Sequence, residues 1–165
     1  MTATIDRSTW PIGPWDSEPD REEWREGDVR CLLSRSHTTG AWHGYAIVDP
    51  EHPWARLHWH ALGTDVVEWG SIAPDGSTWF GFDCGHYGQA TPMSPDCFHY
   101  VTMGEARRGV TALAAILSRQ PPPDAMDVTI ARLRREVSYY TGDGEFSTYQ
   151  RGVLIRWLGL LGEAP

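Results

Sequence analysis

The residues best suited to chemistry lie together in one segment, Trp79-Phe-Gly-Phe-Asp-Cys-Gly-His86. Because side chains alternate along an extended strand, we expect Cys84 and His86 on one face and Asp83 on the other. Glu68 belongs to the segment that pairs with this one, and we expect it diagonally across from Cys84 and His86. The segment therefore predicts a catalytic, a metal-binding or a ligand-binding site.

A catalytic site would use Cys84 as the nucleophile and His86 or His99 as its general base, with Glu68 as a further member. Side chains two residues apart in a strand run parallel, however, so the Cys84 thiol and the His86 imidazole would face each other poorly. The sequence also has no Gly-x-Ser-x-Gly elbow and no Walker loop. We therefore predict no catalytic residue, and a Cys/His or metal-assisted hydrolase is the alternative function.

A metal site would combine Cys84 and His86 with His58 and His60, which also alternate onto one face. Zinc accepts thiolate and imidazole ligands in a tetrahedron. Neither pair has the spacing or the helical context of known zinc modules. The sequence favours free thiols, and we predict no metal and no cofactor.

A binding site would use Trp69 and Trp79 as flat apolar surfaces and Asp83 and His86 as hydrogen-bonding groups. The chain has nine tryptophans, more than a core of this size requires, and this excess favours exposed aromatic surface. In a purely structural alternative, Cys84 is a core residue, and Asp83 and His86 fix the backbone of the following loop. We expect a non-enzymatic protein that binds a protein partner or a small polar, nucleotide-like ligand.

Composition limits the partners and the compartment. A chain of 165 residues is the size of one domain, and its formal net charge of −8 argues against binding to duplex nucleic acid. No apolar run approaches the roughly 20 residues that span a bilayer, so we expect no membrane association. The first residues lack the basic and apolar regions of a signal peptide, which predicts a cytoplasmic protein. The oligomeric state is left open.

The pattern of the chain predicts two parts. Residues 1–28 form an acidic arm rich in tryptophan and proline, and residues 29–165 form a single α+β domain. The domain begins with an antiparallel sheet over about residues 29–84, because several segments alternate between apolar and polar residues. These segments are 29–36, 41–48, 56–60, 65–72 and 78–84.

The last two of these segments form the best-specified hairpin. They flank Ala73-Pro-Asp-Gly-Ser77, which is a strong turn signal. If Ala73 lies opposite Ser77, Trp69 lies opposite Gly81, and a ring across a glycine is a favourable packing arrangement.

Three helices are predicted to follow and to pack on one face of the sheet. Helical spacing of apolar residues indicates helices over about 103–119 and 125–140, separated by Pro121-Pro122-Pro123. A third is expected over 147–161, with Ser147 as its cap.

The same central segment resembles a family of short hypothetical proteins of tailed phages and prophages. The match extends over about residues 42–119, and its most specific part is Trp79-x-Gly81-Phe82-Asp83-Cys84-x-His86-x-Gly88. This chain has Glu68-Trp69-Gly70 where the family pattern has His-Gly-Gly, and Gly88-Gln89 where the family tends to have Gly-Asp.

The resemblance implies a phage-encoded accessory protein that acts in the host cytoplasm on a host factor, for instance against host defence. If the family's histidine and aspartate form an active site, the two replacements damage it here. That favours binding of a host protein or a small polar ligand over catalysis. A structural phage component is a further alternative.

Overall fold

An antiparallel sheet forms the centre of the protein. The structure is a computed structural model and describes residues 5–139. Within this range the main sheet has five strands in the order β1-β2-β3-β5-β4. They are β1 (Arg21–Glu26), β2 (Val29–Arg35), β3 (Trp42–Val48), β4 (Trp69–Ile72) and β5 (Thr78–Asp83).

The sheet begins earlier than the predicted boundary at residue 29, which is therefore wrong. Strand β1 lies within the predicted acidic arm and pairs with β2 over its whole length, from Arg21 opposite Ser34 to Glu26 opposite Val29. Its charged sequence conceals an alternation in which every second side chain is partly buried. Gly27, with a φ of 62°, makes the tight turn between the two strands.

The predicted strand at residues 56–60 is also wrong. Arg56 has a φ of 66°, which interrupts an extended conformation, and a short 3-10 helix follows at Trp59–Leu62. The His58 side chain caps this helix by accepting a hydrogen bond from the His60 amide. The alternation of polar and apolar residues that suggested a strand is therefore produced by a turn and a single helical turn.

Helix α1 (Met103–Leu117) covers the inner face of the sheet. It begins with a capping box in which Thr102 and Glu105 each accept from the other's backbone amide. The predicted apolar stripe of this helix is confirmed, since its members are all buried: Val110, Leu113, Ala114 and Leu117. The Phe82 ring fills the space between Gly44 of β3 and Gly109 of α1, where an added Cβ would come within 2.4 Å and 2.8 Å of it, respectively.

The prediction of three helices on one face of the sheet is wrong. Residues 5–139 contain two α-helices, and the second, α2 (Ala125–Tyr139), packs against the 3-10 helix Trp59–Leu62. The three prolines at 121–123 separate α2 from α1, and the buried Thr129 hydroxyl of α2 accepts a hydrogen bond from the His58 amide at 2.8 Å. The predicted helix at 147–161 lies outside the described residues. Neither described helix is long and apolar enough to cross a membrane.

A buried ion pair attaches the segment before β1 to the rest of the protein. The Arg35 guanidinium donates to Glu18 Oε2 at 2.6 Å, and the Tyr100 hydroxyl and the Trp42 indole donate to the same oxygen. Glu18 Oε1 accepts from the Met103 amide in the first turn of α1. One carboxylate therefore joins the N-terminal segment, the sheet and the start of α1. We call this group the Glu18 cluster.

Candidate functional site

The face of the sheet opposite α1 has a defined pattern of side chains, which we call the outer face. The strand registers place three rows of residues across it. The first row is Arg25, Arg30, Ile47, Trp79 and Ser71. The second row is Glu23, Leu32, Tyr45, Gly81 and Trp69. The third row is Arg21, Ser34, His43 and Asp83. Positive charge is therefore concentrated toward β1, and aromatic rings lie toward β4 and β5.

Three rings form an aromatic ridge on this face, namely Tyr45, Trp69 and Trp79. The two indoles meet the Tyr45 ring edge to face, with centroid distances of 5.3 Å and 5.5 Å. The predicted opposition of Trp69 and Gly81 is confirmed. An added Cβ at Gly81 would lie 2.4 Å from the Trp69 ring, so glycine is what lets this indole lie flat on β5. All three rings remain partly exposed.

Next to the ridge, Glu68, Asp83 and His86 form a polar cluster, the Glu68 cluster. His86 Nε2 donates to Glu68 Oε1 at 2.5 Å, and Glu68 Oε2 accepts from the Asp83 amide at 3.2 Å. Asp83 Oδ1 accepts from the Gly85 amide at 2.7 Å and so fixes the start of the following loop. The predicted proximity of Glu68 and His86 is confirmed, whereas Asp83 joins them instead of pointing away.

Two histidines at this site have pKa values shifted in opposite directions. The hydrogen bond to Glu68 raises the pKa of His86, with a smaller contribution from the negative charge of Asp83. Burial lowers the pKa of His43, the neighbour of Asp83 on β3, and the charges of Asp83 and Glu68 partly offset this. At neutral pH, His43 is therefore a neutral imidazole beside two carboxylates.

The Glu68 cluster is also the place where a cation would find ligands. One ligand atom from each of its three residues lies within 4.8 Å of the others, and no other such group occurs in residues 5–139. Two carboxylates and an imidazole suit a divalent cation such as Mn²⁺ or Zn²⁺. Exposed acidic groups of this kind are common without a metal, so the spacing by itself defines no metal site.

Cys84 lies apart from this cluster, in the core. Its side chain is buried, as the structural alternative expects, and burial raises the pKa of its thiol to about 12. A thiol with this pKa supplies almost no thiolate at neutral pH, so Cys84 is poorly placed to be a nucleophile. The Glu68, Cys84 and His86 arrangement of a hydrolase therefore lacks its nucleophile at the surface.

His58 and His60 lie around the 3-10 helix that contacts α2. Their rings stack at a centroid distance of 4.9 Å, with His58 buried and His60 partly exposed. His60 and Glu68 line the same groove, of about 570 Å³, beside Trp59. Among residues 5–139 these two histidines form no ligand group with Cys84 and His86, so the four-residue metal set that the sequence offered as an alternative is not assembled.

At the other end of the outer face, three arginines surround a cavity of about 370 Å³, the arginine cavity. Leu32 and Ile47, both buried, line it together with Trp79, which also belongs to the aromatic ridge. The charged groups of its wall are Arg21, Glu23, Arg25 and Arg30. An apolar surface with guanidinium groups around it suits an anion that carries an apolar part.

Sequence reasoning missed His43, Tyr45 and the arginines of the cavity. His43, Tyr45 and Ile47 alternate along β3, and this signal places them on one face once the strand is recognised. Arg21 and Arg25 were assigned to the acidic arm, where net charge concealed the strand. Their place in the wall of the arginine cavity becomes visible only when β1 is paired with β2.

Comparisons of the chain with protein families, with curated proteins and with solved structures find no match. The resemblance to phage proteins therefore stays a prediction. The function has to be inferred from the geometry of the outer face.

Proposed function

We propose that this protein is a non-enzymatic binding protein that holds a small polar ligand with a flat heteroaromatic ring on the outer face of its sheet. The observation that supports this best is the aromatic ridge of Tyr45, Trp69 and Trp79 beside the carboxylates of Glu68 and Asp83. The ridge supplies stacking surface, and the carboxylates accept hydrogen bonds from N–H groups of the ring.

The ridge is suited to stacking because its rings are held in place. The Trp79 indole donates to the Ser77 hydroxyl at 3.0 Å, and Trp69 lies against Gly81. Rings that are already oriented lose little conformational entropy when a ligand stacks on them. Stacking of a base on an aromatic side chain contributes about 1–3 kcal/mol.

The polar part of the site is suited to N–H donors. An ionised carboxyl group has about four acceptor positions. The Gly85 amide uses one position on Asp83, so this group has capacity for donors of a ligand. Its neighbour His43 has a lowered pKa, and its ring bonds the Tyr45 hydroxyl at 3.2 Å, so His43 adds no positive charge beside Asp83 at neutral pH.

The Cys/His form of the hydrolase alternative is weaker, because burial of Cys84 removes its nucleophile from the surface. The phage-encoded accessory role in the host cytoplasm, directed against a host factor, is part of the proposal and has its basis in the sequence resemblance. A host protein in place of a small molecule is an outcome that the experiment below distinguishes.

The test begins with the full chain incubated in a cell lysate, followed by mass spectrometry of the small molecules and proteins that it retains. Calorimetric titration with four nucleosides (adenosine, guanosine, cytidine and uridine) in a chelating buffer then measures affinity. We expect a small heteroaromatic molecule to be recovered intact, and Trp79→Ala to weaken its binding by roughly 5- to 150-fold, equivalent to about 1–3 kcal/mol. Asp83→Asn should change which ring is preferred.

Phe98→Ala is the matched control, because Phe98 is an almost fully exposed aromatic residue outside the ridge. It should leave affinity unchanged. Chemical conversion of the ligand would instead support the hydrolase, and a retained protein with no small molecule would support a protein partner. Unchanged binding in folded Trp79→Ala and Asp83→Asn variants would show that the site lies elsewhere.

A further inference from the structure

We infer that the ligand is a nucleotide, with its phosphate in the arginine cavity and its base on the aromatic ridge. This inference depends on the proposed function and specifies the class of ligand. The inference comes from a second region of the outer face, around Arg25 and Arg30, next to the aromatic ridge.

The arginine cavity has donors that the described protein leaves available. Arg30 is ion-paired with Asp49 at 3.6 Å, and its Nε is buried without a hydrogen-bond partner among residues 5–139. Arg25 donates to the Asp28 carbonyl through one terminal nitrogen. Each guanidinium group has five N–H donors, and a phosphate oxygen is the acceptor that such a group matches best.

The cavity and the ridge are continuous through Trp79. This residue lines the cavity and also contacts Tyr45 of the ridge. Arg30, Ile47 and Trp79 are direct neighbours across β2, β3 and β5. With strands about 4.8 Å apart, Arg30 and Trp79 are separated by about 10 Å at the backbone.

Trp79 lies between the two ends of the site, about 10 Å from Arg30 across the strands and about 13 Å from Asp83 along β5. The cationic end selects an anion, and the carboxylates at the other end repel one and select N–H donors. A ligand that satisfies both ends has a phosphate at one end and an amino-bearing ring at the other, which describes a nucleotide and excludes a simple anion.

The test compares each of the four nucleosides with its 5′-monophosphate by calorimetry, in low and in high salt, with inorganic phosphate as a third probe. We expect the monophosphate to bind at least about tenfold more tightly in low salt, the size of one charge-assisted hydrogen bond. High salt should reduce this advantage. Arg30→Gln should abolish it without changing the affinity for the nucleoside.

Arg108→Gln is the matched control, because Arg108 is an exposed arginine of α1. It should leave the advantage of the phosphate intact. Arg25→Gln provides a second cavity variant if Arg30→Gln does not fold. If nucleosides bind and phosphate adds nothing, or if Arg108→Gln removes as much affinity as Arg30→Gln, the inference is wrong and the proposed function stands. If neither nucleosides nor nucleotides bind, the inference is wrong, and the lysate experiment decides the proposed function.

Discussion

Two carboxylates of this protein, Glu18 and Glu68, each accept a hydrogen bond of similar length from a basic side chain, in very different surroundings. Glu18 bonds Arg35, and their side chains are 15% and 0% exposed. Glu68 bonds His86, and these side chains are 33% and 51% exposed. The first carboxylate also accepts from Tyr100 and the amide of Met103.

The comparison indicates how a structural cluster differs from a site that has hydrogen-bond acceptor positions left for a ligand. Charges taken out of water need every remaining donor and acceptor to be matched, and the Glu18 cluster meets this condition with four donor groups. The Glu68 cluster remains in contact with water, where an unfilled acceptor position costs little. Such a position is available to a ligand.

The largest expected effect is that of Glu18→Gln on stability. This change removes the nearer counter-ion of the buried Arg35 guanidinium and leaves only Asp20, at 3.8 Å. Breaking a buried pair costs about 3–5 kcal/mol. Glu68→Gln breaks an exposed pair and should cost less than about 1 kcal/mol. The free energy of unfolding of both variants is measured by urea denaturation, with circular dichroism as the signal. Equal losses would show that the Glu68 cluster is structural and that the comparison does not hold.

A smaller effect is expected for Tyr100→Phe. Burial, with a further contribution from the hydrogen bond to Glu18, raises the pKa of Tyr100 to about 12, so its hydroxyl remains a donor across the neutral range. Removing this donor should lower the free energy of unfolding by about 1–2 kcal/mol in the same urea assay. Tyr87→Phe is the control, since Tyr87 is fully exposed, and it should change stability very little. An unchanged free energy of unfolding in Tyr100→Phe would mean that the Glu18 cluster does not depend on the phenol.

The smallest expected effect is a shift in the pKa values of His43 and His86, which are measured by titration monitored by NMR. We expect the pKa of His86 above the ordinary value of about 6.5 and that of His43 below it. The contribution of His86 to the stability of the folded protein is therefore fully present below pH 6.5 and is lost as the pH rises through its raised pKa. The contribution of His43 is present above pH 6.5 and is lost as the pH falls toward its lowered pKa.

Glu68→Gln tests the assignment of these shifts. It removes the acceptor that raises the pKa of His86, so this pKa should return toward 6.5, while that of His43 should fall further. An unchanged His86 titration in this variant would show that the two side chains do not pair in solution.

The sequence predicts the β4–β5 hairpin well, because a Pro-Asp-Gly turn and alternating strands together determine one register. The predicted opposition of Trp69 and Gly81 follows from this register and is confirmed. The helix boundaries at 103 and 125 were also predicted closely, since apolar residues at helical spacing and the three prolines are local signals.

The same local signals fail where tertiary contacts decide the structure. Alternation predicted that Asp83 and His86 point to opposite faces, but β5 ends at Asp83 and the chain turns at Gly85, so the rule no longer applies to His86. The partners of Glu18 could not be predicted, because Tyr100 is 82 positions away in the chain. Charge in residues 16–28 suggested an arm, whereas part of this segment is a strand.

The Glu18 cluster also has a consequence for the order in which the chain folds. The β1–β2 hairpin uses residues that are close in sequence and can form early in synthesis, since local contacts cost little loop-closure entropy. Glu18 and Glu22, by contrast, meet Met103 and Arg107 across 85 positions. The N-terminal segment therefore completes its contacts only after the start of α1 has left the ribosome, and this closure couples the beginning of the chain to the formation of α1.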